Sequence, residues 1–386
     1  MALYNRVSSL ELKKKLAEES FQRVTFSFYQ YTCIPDPQVF RNDLYSGLFN
    51  LNVFGRIYIA SEGVNGQVSV PLDHFVDCRS FIYSFPGLKG IRLNMAVEDD
   101  GKSFWVLKVK TRGKIVADGI LDPEFSMTQK GQYLNAREFN ELAGKPSTVI
   151  VDMRNHYEYE VGHFDLAVPI ASDTFREQLP MAVELLQEEK GKDIIIYCTG
   201  GIRCEKASAY LLFKGFKHVF HLEGGIIEYT HKVKEWGLEN KFKGKNFVFD
   251  NRLGEAITEE IISQCHQCGK PCNRHTNCLN AGCHLLFIQC DTCAREFNGC
   301  CSPQCQTYYQ LPLEEQKEFR KGKDQGQKIF NKSKNRLRPK PEYISALPEM
   351  NSPESGIYSD FPPGSSNPWE KNKINPDSAG DISTTS

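Results

Sequence analysis

Three observations predict an α/β multidomain chain. Strand-like and helix-like patterns alternate over residues 21–125. Continuous apolar runs of strand length recur over 132–240. Ten of the 14 cysteines fall between positions 265 and 305. The length, 386 residues, fits two to four domains at about 100–200 residues each. Hydrophobic residues at 40% and charged residues at 25% match a soluble globular chain, and a net charge of −1 gives the whole chain no bias towards nucleic acid or membrane. No apolar run reaches the roughly 18 residues that a bilayer span needs. The opening MALYNRVSSLELKKKL lacks the apolar core of a signal peptide. These features exclude a membrane protein, a collagen, a coiled coil and a wholly disordered chain. They point to a cytoplasmic, reducing setting in which disulfides are not expected.

The elements follow in order. Residues 1–20 read as a short polar helix or a lead-in to one. In the N-domain, 21–125, residues 24–31 are β-branched and aromatic, and 38–51 are amphipathic. Residues 56–60 and 66–70 read as strands flanking a turn at Glu62-Gly63-Val64-Asn65-Gly66. Residues 74–85 are helical again and 104–110 form a strand. The order βαββαβ is the ferredoxin-like α+β arrangement. The second domain, 132–240, holds apolar runs at 148–152 and 193–197, which suit parallel strands buried on both faces. Helical patterns at 157–161, 181–190 and 204–214 surround them, giving an α/β domain around a central sheet. A cysteine-rich segment spans 260–310 and a basic stretch 311–340. The tail, 341–386, carries seven acids and two bases among many Pro, Ser and Asn residues, so it cannot bury enough apolar surface to fold alone and is expected to be disordered.

The sharpest local feature is Tyr197-Cys198-Thr199-Gly200-Gly201-Ile202-Arg203-Cys204. A buried strand runs into Cys198, a loop with two glycines follows, and a helix begins near Cys204. Gly200 and Gly201 let the backbone curl so that successive N–H groups point inward. The helix N-terminus and Arg203 add positive potential. A thiol inside such a ring has a depressed pKa and is largely thiolate. Cys204 is either a resolving thiol for Cys198 or a small residue packing the helix.

Cys198-Thr199-Gly200-Gly201-Ile202-Arg203 resembles the active-site loop of the rhodanese superfamily. Val151-Asp152-Met153-Arg154-Asn155, with Glu158 and Gly162-His163, is similar to that family's D-x-R and E-x-x-x-G-H signature. Leu222-Glu223-Gly224-Gly225-Ile226 is similar to its closing L-x-G-G motif. Six residues from Cys198 to Arg203 suit a sulfur atom, whereas the related phosphatases use a loop one residue longer. The resemblance implies Cys198 as a persulfide-bearing nucleophile and Arg203 as the loop-closing cation. It implies supporting roles for Asp152 and Arg154.

The cysteine-rich segment reads Cys265-x2-Cys268-x3-Cys272-x5-Cys278-x4-Cys283-x6-Cys290-x2-Cys293-x6-Cys300-Cys301-x3-Cys305, with His266, His275 and His284 interleaved. Two C-x2-C knuckles separated by 21 residues approximate a structural zinc site built from Cys265, Cys268, Cys290 and Cys293. Cys278, Cys283, Cys300, Cys301, Cys305 and His275 offer ligands for a second ion, and the spacing does not say which four are used. About two structural zinc ions are expected, because some 40 residues cannot hold a core without a staple. The C-x2-C-x2-C run common in iron–sulfur proteins is absent. Neither a nicotinamide nor a flavin fingerprint is evident.

From 317 to 340 the chain holds ten Lys/Arg and two acids, with Phe319 and Phe330 among them. This composition suits a phosphate backbone with occasional base stacking, or else a solvated face. The full arrangement is more specific. A ferredoxin-like N-domain with Glu62-Gly63-Val64-Asn65-Gly66, the Cys198 string continuing through Glu205-Lys206-Ala207-Ser208, and a multi-cysteine segment together resemble the rhodanese-domain tRNA uridine hydroxylases over roughly 20–310. That resemblance implies oxygen-dependent hydroxylation of the wobble uridine, with molecular oxygen as co-substrate and the tRNA anticodon loop as partner. Arg56, Lys108 and Lys110 are candidates to hold that loop. A sulfurtransferase using a Cys198 persulfide is the alternative, but it has no use for the N-domain, the cysteine-rich segment or the basic stretch.

Overall fold

The computed structural model describes residues 7–321. Helix α1 (Ser9–Glu18) leads into the N-domain. There β1 (Arg23–Tyr31), α2 (Pro37–Asn50), β2 (Phe54–Ala60), β3 (Gly63–Pro71), α3 (Phe75–Tyr83), β4 (Asn94–Met95) and β5 (Leu107–Thr111) follow in order. The sheet order is β4-β1-β3-β2-β5, with β5 parallel to β2 and the other neighbours antiparallel. The first four strands give the ferredoxin-like order, and β5 is an added edge.

Two expectations are corrected here. The run at 104–110 is that added edge strand, while the fourth strand of the motif is the two-residue β4, too short to carry a pattern. The β2–β3 turn is Ser61-Glu62, since Ala60 pairs with Gly63, so Gly63 to Gly66 lie inside β3. Those glycines serve close packing. A Cβ on Gly63 would lie 2.0 Å from the Gln30 carbonyl oxygen, and one on Gly66 would lie 2.6 Å from the Phe28 ring. Strand alternation sends Phe26, Phe28, Ile57, Ile59, Val64, Val68 and Val109 into a core closed by Leu44 and Leu48 of α2 and Ile82 of α3.

The second domain comprises β6 (Gln132–Leu134), α4 (Ala136–Ala143), β7 (Val149–Asp152), α5 (His156–Val161), β8 (Gly162–Phe164), β9 (Val168–Pro169), α6 (Phe175–Leu185), β10 (Asp193–Tyr197), α7 (Ile202–Phe213), β11 (His218–Leu222) and α8 (Gly225–Trp236). Its sheet, β6-β11-β10-β7-β9, is parallel throughout. Central strand β10 is buried on both faces: Ile194 and Ile196 enter one core, and Ile195 and Tyr197 enter the other. Helix α6 begins earlier than the 181–190 pattern suggested, because Thr174 caps it by accepting the Glu177 N–H.

Strand β12 (Phe242–Asn246) pairs with β8 and with β13 (Glu255–Ala256), leading into the cysteine-rich segment. That segment contains β14 (His275–Asn277), β15 (Leu286–Ile288), α9 (Asp291–Glu296) and α10 (Pro303–Gln310), followed by α11 (Leu313–Arg320). It packs on the α/β domain through Tyr157, Val161, Phe247, Ile288 and Phe297. Lys317 and Lys321, at the start of the basic run, pair with Glu314 and Glu318. The rest of that run and the tail, expected to be disordered, lie outside the described residues. Among the described residues no helix is long and apolar enough to cross a membrane.

Candidate active site

Cys198 directly follows β10 and is 1% exposed. The next residues bend into α7, whose N-cap Gly201 adopts φ 100°, a left-handed conformation that favours glycine. The Gly201 N–H donates to Cys198 Sγ at 3.2 Å. Burial raises the pKa of Cys198. Hydrogen bonds from the Cys204 thiol, the charge of Arg203 and the N–H groups of Cys204 and Gly201 outweigh it, drawing the thiol down to about 6. Cys204 bears the converse shift: burial and the neighbouring Cys198 anion push it up, so it stays a neutral donor.

The loop carbonyls all point away from the sulfur. Cys198 O and Thr199 O accept the N–H groups of Ile226 and Ile227 at the start of α8, at 3.0 and 3.2 Å. Gly201 O accepts the Glu205 N–H at 3.0 Å. Gly200 O accepts Asn94 Nδ2 and Ile202 O accepts the Tyr31 hydroxyl, both at 3.2 Å. Five consecutive carbonyls are thus satisfied outward, which leaves N–H groups to face the thiolate. Gly225 permits this approach of α8: a Cβ there would lie 2.5 Å from Cys198 O and 2.6 Å from Thr199 O.

Arg203 closes the loop by a different route from the one its position suggests. Its guanidinium forms a bidentate pair with Glu158 of α5, at 2.7 and 2.8 Å, and also donates to Thr199 Oγ1 at 3.3 Å. Burial pushes the Glu158 carboxyl up, but the charge and hydrogen bonds of Arg203 hold it below the usual carboxylate range. Asp152 and Arg154 form a second pair, fully buried beneath the loop. Arg154 donates to both Asp152 oxygens and, at 2.6 Å, to Gly162 O, while the Tyr197 hydroxyl donates to Asp152 Oδ2 at 2.7 Å. This pair brackets β7, β8 and β10 and does not touch the thiol.

Sequence reasoning left out the N-domain's share of the site. Besides Asn94 and Tyr31, the Tyr29 hydroxyl stands beside Gly201, 2.8 Å from where a Cβ would sit. Burial and the nearby Glu205 carboxylate keep Tyr29 protonated, and Tyr133 likewise. Lys130 Nζ donates to Glu205 at 2.5 Å. Ion pairs join the domains: Lys206 with Glu62 at 2.6 Å, and Arg92 with Glu223 and Glu228. None of these partners is adjacent in sequence, so only Glu62, Glu205, Lys206 and Glu223, which lie inside the motif strings, carried any signal.

In the cysteine-rich segment, the sulfurs of Cys265, Cys268, Cys290 and Cys293 all lie within 4.8 Å of one another, as do those of Cys278, Cys283, Cys301 and Cys305. The Sγ–Sγ separations are 3.6 Å for Cys268–Cys290 and 3.7 Å for Cys283–Cys301 and Cys301–Cys305. A disulfide is about 2.05 Å, whereas ligands at about 2.3 Å from a tetrahedral ion sit about 3.8 Å apart. Both thiol sets therefore fit a tetrahedral metal ion. Cys300 falls outside both sets, as do Cys272 and His275. Cys300 is fully buried, and its carbonyl accepts Gln267 and Gln289.

Three family profiles match the chain: the UPF0176 acylphosphatase-like domain at residues 23–115, the Rhodanese-like domain at 135–232, and the Rhodanase C-terminal region at 243–306. The chain is 60% identical over 336 residues to the tRNA uridine(34) hydroxylase of Sodalis glossinidius, covering 87% of this chain and 96% of that one. It is 58% identical over 346 residues to the protein of the same name from Pectobacterium carotovorum subsp. carotovorum, covering 88% and 98%. The Escherichia fergusonii protein of that name is 57% identical over 336 residues, covering 87% and 96%.

Proposed function

The chain belongs to the tRNA uridine(34) hydroxylase family, and from that membership we propose that it hydroxylates the wobble uridine of tRNA with Cys198 as the nucleophile. It is an oxidoreductase acting on the anticodon loop. The observation that supports Cys198 in this role is its thiol, with the Gly201 N–H donating to Sγ at 3.2 Å and its pKa drawn down to about 6 by the Cys204 thiol, the charge of Arg203 and the N–H groups of Cys204 and Gly201, so that it is mostly anionic at neutral pH.

The chemistry follows from a thiolate facing a pyrimidine. Cys198 Sγ adds to ring carbon 6, forming a C–S bond, and the ring double-bond electrons move through carbon 5 onto the carbon 4 oxygen. Carbon 5 becomes electron-rich and takes one oxygen atom. Loss of the carbon 5 proton and rupture of the C–S bond then return the thiolate. With dioxygen as the source, its second atom leaves as water. The two electrons required come from a thiol-class reductant, two thiols becoming one disulfide. Burial around Cys198 keeps water from the adduct.

The two four-thiol sets hold zinc as structural staples for a segment with a small core, and the 3.6–3.7 Å sulfur spacing supports that reading. Mass spectrometry of tRNA nucleosides tests the function. Cells lacking the protein lose 5-hydroxyuridine and its derivatives, the wild-type gene restores them, and Cys198→Ala does not. Restoration by a folded Cys198→Ala protein would remove the nucleophile, and loss of thiolated nucleosides instead would point to sulfur transfer.

A further inference from the structure

The five strands of the N-domain sheet contain no aspartate or glutamate. One sheet face is the apolar core. On the other, cross-strand register lines up two polar rows. The first runs Asn94, Ser27, Gln67, Arg56, Lys108 and the second Tyr29, Asn65, Tyr58, Lys110. Both rows begin at the thiol loop, where Asn94 holds Gly200 O and Tyr29 stands beside Gly201. Both end in an exposed lysine on β5.

We propose that this face is the track for the single-stranded RNA flanking the uridine presented to Cys198, with Tyr58 as a stacking platform and Lys108, Lys110 and Arg112 on phosphates. The inference rests on the hydroxylase reading and names the surface that reading needs. Three inter-strand steps of about 4.8 Å place the lysines roughly 14 Å from the strand beneath the loop, a span of a few nucleotides. Neither Lys108 nor Lys110 pairs with a carboxylate of any described residue. The exposed Arg112 guanidinium lies 5.5 Å from the half-buried Tyr58 ring, a cation already set against an aromatic face. Arg56 is spent otherwise: it donates to Phe249 O at 2.6 Å, tying down the wall of the track. Asn65 likewise donates to Ile115 O at 3.1 Å, so the accessible part of the face is its β2–β5 end, where a half-buried aromatic ring beside unpaired cations is a sequence-tolerant surface for bases and phosphates. An acidic protein would meet the cations but has no use for Tyr58 or for the link to the thiol.

The test measures binding of full-length protein to tRNA by filter retention across a salt series. Lys108→Glu/Lys110→Glu weakens binding at least about tenfold and lowers the slope of log affinity against log salt by about 2. Tyr58→Ala weakens it by about tenfold with the slope unchanged, and Tyr58→Phe restores it. In each variant the alkylation rate of Cys198 and the thermal midpoint stay at wild-type values. Wild-type affinity and slope in the charge-reversed and Tyr58→Ala proteins would overturn the track while leaving the hydroxylase reading intact. So would unchanged tRNA binding accompanied by loss of an acidic protein partner. A wild-type protein that neither binds tRNA nor forms 5-hydroxyuridine would overturn the hydroxylase reading itself.

Discussion

Alkylation of Cys198 should titrate with a midpoint near pH 6. Its surroundings draw the thiol from an ordinary 9.0 to about 6. At pH 7 that shift ionises about nine thiols in ten, where an unperturbed one would be ionised about once in a hundred, a gain of roughly 90-fold in nucleophile. The sign is that of an acid: the thiolate persists above the midpoint and is lost as pH falls through it. The assay is iodoacetamide labelling between pH 4 and 9, followed on the peptide containing Cys198, because exposed Cys33 and Cys268 also react. Burial opposes ionisation, so the lowering depends on donors, with the Cys204 thiol foremost among them. A neutral hydrogen bond of about 1–1.5 kcal/mol is worth about one pKa unit. Cys204→Ala should therefore move the midpoint up by about one unit, towards 7. A wild-type midpoint at or above 8 would refute the claim that the loop stabilises an anion.

Gly225→Ala would place a Cβ 2.5 Å from Cys198 O, so the loop must retreat by roughly 0.5 Å to reach even a tight contact. Misplacements of about 1 Å can cost about 100-fold in rate. A loss of at least tenfold in hydroxylation is expected, with only a few degrees off the thermal midpoint, and wild-type turnover would contradict the close-packing account. Elemental analysis should find about two zinc ions per chain. Cys301→Ser should lose one of them and Cys300→Ser neither, whereas abundant iron with visible absorption would overturn the zinc assignment.

The thiol loop was legible in the sequence because its parts are contiguous: strand, cysteine, two glycines, arginine and helix follow within a dozen residues. The first four-thiol cluster was legible for the same reason, since each C-x2-C knuckle is a local turn. The second set is assembled from x4 and x3 spacings across β14–β15 and α10, so its members depended on the fold. Glu158 was visible as a motif residue, but its partner Arg203 lies 45 residues away across the sheet. Strand β4 is two residues long and carries no periodicity. The lure there was the alternating run at 104–110, a strand as expected but on the opposite edge. Gly63 and Gly66 read as turn formers because glycine permits both tight turns and close backbone approach, and sequence does not separate the two uses.

The outward-turned carbonyls explain why the α/β domain alone is an incomplete site. Beside the Cys204 thiol and the charge of Arg203, the thiolate is stabilised by the N–H groups of Cys204 and Gly201. These can face the sulfur only while the carbonyl dipoles are held away. The α/β domain holds three of the five carbonyls. The N-domain holds the other two, through Asn94 on Gly200 O and Tyr31 on Ile202 O. Asn94→Ala frees the Gly200 carbonyl, whose negative end can then turn towards Cys198. The alkylation midpoint should rise by about half a unit to one unit, the electrostatic counterpart of one lost neutral hydrogen bond. Tyr31→Phe should act in the same direction through Ile202. Unchanged midpoints in both variants would mean that the loop keeps its shape without the N-domain. The first ferredoxin-like strand would then serve only to cover the thiol.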